Sequence, residues 1–459
     1  MVKIASLLSR TIKLKKNRKR KRGDGTDLFE VRPTQDKNGV GIFAVDKIDC
    51  GDLIISHEDP IVACSAHPDP HICNSCAAPI GTLGKDHLKA NDIDVSLPFI
   101  FDGTDSDDLV FTTSHMKCRE CEDAVYCSKE CFQKRQEQHS IFCKASAPLK
   151  DFFEKEEGNA TILRLATKVI AVAMSHFSSL SKDKQISIEQ CFWWTEYGSH
   201  PLWWEVGSSV DDKKDITNRF CTVLQTSLLE SIALKNVNLQ ENFIRQICSL
   251  DNIGSILGML QCNVMEYEFP SPAAQYMEQV MEDARDEQFA AAEQPISGSG
   301  LYPLLSLANH DCNPNASIEF LQESNRGSMV ATREISPGEE ICITYVCNGG
   351  VGGDGAEYFR HFSPTRTWKW LNDKLNNEED DEVEDEELDS DLHDDSKSVD
   401  ESCASSNNEN PLEQEKDSDN ESLLEGSTVE ERAKSLLEYG FHCKCNRCIT
   451  QRGDDTKQT

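Results

Sequence analysis

The sequence predicts an α+β fold: a β-rich domain interrupted by a metal-binding module and a helical insert, and closed by a late cysteine segment. Three observations carry this. Short β-like runs broken by glycine occur in two sets, one within Phe29–Ala63 and one from Ala316 on, with mostly helical patterning between them. Eight cysteine and histidine residues at ligand spacing crowd the block from Cys73 to Cys143. A second cysteine cluster, Cys443 to Cys448, stands behind a long acidic low-complexity region. An interrupted β domain is the simplest architecture that accommodates all three.

The chain has 459 residues, enough for a sizeable core and several domains. Residues 1–26 are expected to be a disordered basic tail. Within them Lys13–Arg22 reads KLKKNRKRKR, eight basic residues in ten. Such a run serves as a nuclear-import signal, as an electrostatic patch for nucleic acid, or simply as a solvated tail. An acid-free basic start also resembles an organelle transit peptide, and direct DNA contact stays open. The basic run follows the weakly apolar opening residues, the wrong order for a secretory signal. No stretch approaches the ~18 consecutive apolar residues of a membrane span, so no membrane partner is expected.

Residues 27–72 hold the first β runs, GVGIFAV (Gly39–Val45) and DLII (Asp52–Ile55). Residues 73–143 form the cysteine-rich module, with a polar insert around Gly84–Ser114. Residues 144–297 read as helical: apolar residues recur at helical spacing over Ala160–Met174, Phe220–Leu234 and Ala273–Ala292. Trp193, Trp194, Trp203 and Trp204 crowd this stretch and are expected to pack between helices rather than to form a recognition cage. Strands return in residues 298–346 as ASIEFL (Ala316–Leu321), SMVATR (Ser328–Arg333) and ICITYV (Ile341–Val346). The turn Ser336-Pro337-Gly338 separates the last two.

Residues 347–427 are a Gly-rich and acidic insert, expected to be disordered. Of the net charge of −33, about −20 lies between Glu378 and Glu425, where 22 carboxylates face two basic residues. This segment either contacts basic proteins or is an inert solvated loop. Residues 428–450 combine a helix-like VEERAKSLLEYGF with the final cysteines, and residues 451–459 form a tail.

The chemistry begins with the cysteines. There are twenty, and in a non-secreted chain thiols stay reduced, so short spacings read as metal ligands rather than disulfides. Cys73-x2-Cys76, Cys118-x2-Cys121, Cys127-x3-Cys131 and His139-x3-Cys143 supply eight ligands, which makes two tetrahedral structural zinc sites. Buried cysteines also serve as small hydrophobes, but that role does not explain the pairing.

Two further motifs follow: Asn309-His310-Asp311-Cys312-Asn313-Pro314-Asn315, and Gly338-Glu339-Glu340-Ile341-Cys342-Ile343-Thr344-Tyr345. The first resembles the NHxCxPN signature of SET domains and the second the family's GEE-hydrophobic-Tyr segment. GVGIFAV matches the glycine-rich opening, and Tyr439-Gly440-Phe441-His442-Cys443-Lys444-Cys445-Asn446-Arg447-Cys448 looks like a post-SET cluster. The Tyr126-Cys127-Ser128 run and the Cys131…His139…Cys143 end look like a MYND finger. Together they resemble the SET- and MYND-domain protein-lysine methyltransferases. The split finger and the stretch His200-Pro201-Leu202-Trp203-Trp204 are most similar to the trithorax-related plant members. The likeness covers roughly residues 28–346 and 428–450. It departs in the finger, where 41 residues separate Cys76 from Cys118. A long loop costs little extra closure entropy, so the fold tolerates it.

The resemblance implies a SET domain holding an inserted MYND module and a zinc-bound post-SET segment. It implies cross-bracing in the finger: Cys73, Cys76, Cys127 and Cys131 on one zinc, Cys118, Cys121, His139 and Cys143 on the other. Cys443, Cys445 and Cys448 supply three ligands of a third ion, and Cys312 supplies the fourth in this family. S-adenosyl-L-methionine is the implied cofactor, held by Asn38, Gly39, Val40, Asn263, Asn309, His310 and Tyr345, with Phe441 stacked on adenine. Tyr345 is the implied catalytic residue, and Tyr302 and Tyr439 line the substrate channel.

The chemistry suits those residue types. An attacking lysine must be neutral, whereas its free pKa is about 10.4; an apolar channel lowers that value. A tyrosine hydroxyl can then orient the amine, because alignment supplies much of the rate. The implied partner is a protein with an exposed lysine, histone first, acting in chromatin and placing the chain in the nucleus, with the cytoplasm also open. A ribosomal or other non-histone substrate is the alternative. An adapter built on an idle SET fold is another, and the finger is a candidate for holding a partner peptide.

Overall fold

The computed structural model describes residues 28–34, 39–66, 71–82, 86–87, 110–112, 115–121, 124–143, 147–179, 201–207, 210–235, 241–273, 295–320, 324–346, 428–437 and 439–455. All belong to one compact unit, which takes in Met1–Cys347 and Thr428–Thr459. The basic run, the acidic insert, Trp193, Trp194 and most of the expected helix Ala273–Ala292 lie outside the described residues.

Three small sheets carry the β-rich part. In the first, β1 (Phe29–Pro33) runs antiparallel to β2 (Val40–Ala44) with Phe29 opposite Ala44. Strand β14 (Glu340–Ile343) pairs with β2, and the short β11 (Asn309–His310) lies parallel to β14 at the edge. The second sheet joins β4 (Val62–Ser65), β10 (Ile296–Leu301) and β9 (Val264–Phe269). The third joins β12 (Ala316–Glu319), β13 (Gly327–Ala331) and β3 (Leu53–Glu58). Strands from before the finger and from after the helical insert thus pair directly. Ile42, Ile48, Ile54, Met329, Ile335 and Ile341 are fully buried between them.

The helical part packs on one apolar stripe. In α3 (Ala160–Ser179), Leu163, Ala166, Val169, Ile170 and Ala173 recur at helical spacing and are fully buried. They share a core with Phe220, Leu224 and Leu228 of α4 (Val210–Lys235) and with Ile253, Leu257 and Leu260 of α6 (Leu250–Asn263). Between the last two helices runs the short α5 (Glu241–Ile247). Ser249 caps α6 by accepting the Asn252 N–H. The 3-10 turn Trp203–Glu205 lies against α6 so closely that a side chain on Gly254 would meet the Trp204 ring, and one on Gly258 the Pro201 carbonyl. Trp203 and Trp204 are buried there as packing residues.

The finger consists of strands of two or three residues, β5 (Gly81–Thr82) with β6 (Val110–Thr112) and β7 (Met116–Lys117) with β8 (Val125–Tyr126), followed by α1 (Lys129–Phe142). Strand β6 falls inside the polar insert expected over Gly84–Ser114. Helix α2 (Ala147–Lys155) leads on into the helical core. Helices α7 (Val429–Leu437) and α8 (Asn446–Asp455) frame the last cysteines.

Several expectations shift. The stretch read as helical contains β9, whose residues pair one for one with β10 from Val264↔Leu301 to Phe269↔Ile296. The strand expected over Ile341–Val346 stops at Ile343 because the Tyr345 N–H turns to the His310 ring instead of a ladder partner. Helix α8 continues past residue 450, where a tail was expected.

Candidate active site and metal centres

Each cysteine cluster is assembled by a different local device. The β7–β8 hairpin carries Cys118 and Cys121 in its turn, and Cys127 leaves β8 toward α1, where its sulfur lies 3.6 Å from Cys131 Sγ. Ser128 caps α1 by accepting the Cys131 N–H at 3.1 Å, which fixes Cys131 in the first turn; His139 and Cys143 come from the last turn. The ligand atoms of Cys73, Cys76, Cys127 and Cys131 all lie within 4.8 Å of one another, as do those of Cys118, Cys121, His139 and Cys143. Cys76 and Cys127 sulfurs are 3.6 Å apart, Cys118 and Cys143 likewise, and Cys121 Sγ is 3.4 Å from His139 Nε2.

The third set unites Cys312 with Cys443, Cys445 and Cys448, again within 4.8 Å. Cys312 Sγ is 3.5 Å from Cys448 Sγ and 3.8 Å from Cys443 Sγ. Ligands about 2.3 Å from a tetrahedral zinc stand about 3.8 Å apart, so all three sets fit that ion. These cysteines are free thiols. Each set has four protein ligands and leaves no open position, which makes the three sites structural.

Beside the third set, the Asn-His motif is held by the edge of the first sheet. Asn309 Nδ2 donates to Glu340 Oε1 at 2.7 Å and to the Val40 carbonyl at 3.2 Å. Gly41 is required for this approach: a Cβ there would stand 2.5 Å from Glu340 Oε1 and 2.9 Å from Asn309 Nδ2. His310 Nδ1 accepts the Tyr345 N–H at 3.0 Å, so Nε2 carries the proton and faces Cys312 Sγ at 3.2 Å. Burial, and then the Arg432 charge, pull the His310 pKa down to about 4, so the ring is neutral at neutral pH.

Tyr345 is half-buried, and its hydroxyl donates to the Ala308 carbonyl at 2.7 Å. Burial, followed by the Cys342 thiol, pushes this phenol up, so it keeps its proton. Around it stand Tyr439 at 5.3 Å, His310 at 5.4 Å and Phe441 at 6.0 Å between ring centroids. Tyr439 and Phe441 come from the chain between α7 and α8, which the third cysteine set fastens here.

Of the remaining expected site residues, Asn38 lies outside the described residues. Among the described residues, a Cβ built at Gly39 meets no heavy atom within 4 Å. Val40 opens β2. Asn263 ends α6; its side-chain amide donates to the Met259 carbonyl at 2.7 Å, and the Asn263 backbone carbonyl accepts from Ser306 Oγ at 3.1 Å. Cys262, next to it, reaches the Tyr439 carbonyl at 3.7 Å. Tyr302 stands apart: it is fully buried, packs on Phe320 and donates to the Asn325 carbonyl at 2.7 Å.

Two residues escape sequence reasoning. Glu58, 6% exposed, accepts the Leu304 and Leu305 N–H groups, each at 2.8 Å, and so caps the 3-10 turn Leu305–Leu307 that leads into Ala308 and Asn309. Asn315, 1% exposed, accepts the Cys342 N–H at 2.8 Å and donates to the Glu340 carbonyl at 2.8 Å and to Glu339 Oε1 at 3.0 Å. It clamps the motif to β14. Its only signal was its place in the asparagine-rich run; Glu58 had none.

Residues 39–346 match the family model described as the SET domain. The chain is 25% identical over 270 residues to the histone-lysine N-methyltransferase ATXR2 of Arabidopsis thaliana, covering 49% of this chain and 55% of that one. It is 27% identical over 237 residues to a SET and MYND domain-containing protein of Dictyostelium discoideum, covering 50% and 57%. It is 26% identical over 236 residues to the histone-lysine N-methyltransferase SMYD3 of Mus musculus, covering 50% and 42%. The chain thus spans about half the length of the curated relatives it matches.

Proposed function

The chain belongs to the SET-domain family, and on that premise we propose that it is an S-adenosylmethionine-dependent protein-lysine N-methyltransferase. The observation that carries this is the ring cluster: Tyr345 pinned through its hydroxyl to Ala308 and walled by His310, Tyr439 and Phe441. When bound, S-adenosylmethionine supplies an electrophilic methyl group. No described residue crowds Gly39, Phe441 offers a half-buried ring, and Asn38, Gly39, Val40, Asn263, Asn309 and His310 would hold it.

Tyr345 keeps its proton, so it acts as an orienting hydrogen-bond partner and not as a base. Removal from water in the channel that Tyr439 would line, together with the cofactor's sulfonium charge, would disfavour the charged ammonium and so favour a neutral lysine. The three cysteine-rich sets would hold structural zinc, and the third would keep Tyr439 and Phe441 against Tyr345.

The substrate is a protein lysine, with histone the first candidate: ATXR2 and SMYD3 are both named histone-lysine methyltransferases. A nuclear site of action agrees with the basic run Lys13–Arg22. SMYD5 of Homo sapiens, 24% identical over 268 residues, is named a protein-lysine N-trimethyltransferase, a name that specifies no target protein, which keeps non-histone panels in the assay. Among the described residues no helix is long and apolar enough to cross a membrane.

The test is transfer of tritium from labelled S-adenosylmethionine to separate panels of core histones and ribosomal proteins. Label on histone, reduced on the order of 100-fold by Tyr345→Phe with cofactor affinity nearly unchanged, is the expected result. Label on ribosomal protein alone moves the substrate class. No label together with no cofactor binding overturns the enzyme reading in favour of an adapter.

A further inference from the structure

The third cysteine set carries an electrostatic problem that the ligands alone do not solve. Four thiolates around one zinc ion leave two negative charges uncompensated. Cys312, Cys443 and Cys448 are 0%, 4% and 1% exposed, so water does little to screen them.

Three donors converge on the set from outside it. His310 faces Cys312 Sγ at 3.2 Å, Arg447 Nη1 donates to the Cys312 carbonyl at 3.1 Å, and Arg432 Nη2 reaches Cys448 Sγ at 3.9 Å. Arg432 is the buried cation among them, 2% exposed on the inner face of α7 beside Val429 and Leu436. It also binds the Gln451 side chain, so it spans from α7 to α8, the two helices that frame the cluster. A guanidinium taken this far from water needs an anion to face, and a zinc–thiolate site is one.

We propose that Arg432 is a positioning residue of the third zinc site: its fixed charge offsets the zinc–thiolate set and so holds the segment bearing Tyr439 and Phe441 in place. The proposal rests on the third set holding zinc. A plain packing role for Arg432 predicts something different. Methionine keeps the length and apolar stem without the charge, whereas lysine keeps the charge without the planar fork.

The experiment compares zinc release to a colorimetric chelator from full-length wild type, Arg432→Met and Arg432→Lys, with total zinc counted first. The two finger ions serve as internal controls. Wild type is expected to hold three ions. Arg432→Met should release one of them roughly 10- to 100-fold faster, the range found for lost outer-shell partners of a metal. Arg432→Lys should fall between the two, and the finger ions should leave at the wild-type rate in all three proteins. Release of the third ion from Arg432→Met at the wild-type rate overturns the proposal, as does lysine releasing it as fast as methionine. Equal acceleration of all three ions assigns Arg432 to general packing and overturns it too. Two ions in the wild type would overturn the zinc reading itself, before any substitution is compared.

Discussion

Replacing Glu58 by glutamine tests how the turn ahead of the Asn-His motif is held. The carboxylate accepts two backbone N–H groups at 2.8 Å, from Leu304 and Leu305, which are 7% and 0% exposed. Hydrogen bonds to a charged group contribute about 1.5–3 kcal/mol each. Glutamine keeps one acceptor but turns an N–H toward the second donor, which loses one bond, weakens the other and strands a buried amide. The expected cost is about 3 kcal/mol, concentrated in the turn. Hydrogen–deuterium exchange of peptides covering Tyr302–Ala308 reads this directly, because local opening becomes roughly 100-fold more frequent. The same turn supplies the Ala308 carbonyl that accepts the Tyr345 hydroxyl, so turnover should fall with it while zinc content stays the same. Protection in Glu58→Gln within a few-fold of wild type would refute the capping argument.

Three further outcomes follow from the geometry. Gly41→Ala places a methyl 2.5 Å from Glu340 Oε1 and should break the 2.7 Å Asn309–Glu340 bond. It is expected to cost about 1–3 kcal/mol by thermal melting and to weaken cofactor binding in calorimetry; unchanged values on both counts would show that the strand edge yields freely. His310 has a folded-state pKa of about 4 against an ordinary 6.5, so between those values the unfolded chain binds more protons. The stability this residue contributes is complete above pH 6.5 and is lost as pH falls through 4. The melting temperature of wild type should therefore drop more steeply across that window than that of His310→Asn, and parallel curves would count against a neutral buried ring. Cys443→Ser should lower bound zinc from three ions to two and weaken cofactor affinity, measured by metal analysis and calorimetry; full zinc would remove Cys443 from the ligand set.

The ligand pairs were legible in the sequence because a Cys-x2-Cys knuckle is a local turn, and its chemistry depends on neighbours along the chain. The β-like runs around Gly39–Val45 and Ala316–Leu321 were legible for the same reason: alternation and glycine breaks report the local backbone. Spacing alone does not state which pairs share an ion. That grouping came from family resemblance, and the hairpin ahead of α1 brings the same four-residue sets within 4.8 Å. Strand β9 was hidden because VMEYEF runs on directly from a helix, and its register is set by β10, some thirty residues away.

By itself, then, the sequence determined the metal chemistry, the motif order and the interrupted β domain. The tertiary structure decided which ordinary-looking polar residues matter. Glu58 reads as a solvated carboxylate until Leu304, 246 residues on, donates to it. Arg432 reads as one charge on a polar helix until α8 buries it over Cys448. In both cases the energetics come from desolvation, and removal from water is fixed by what the rest of the chain lays on top of a residue, which its neighbours in sequence do not encode.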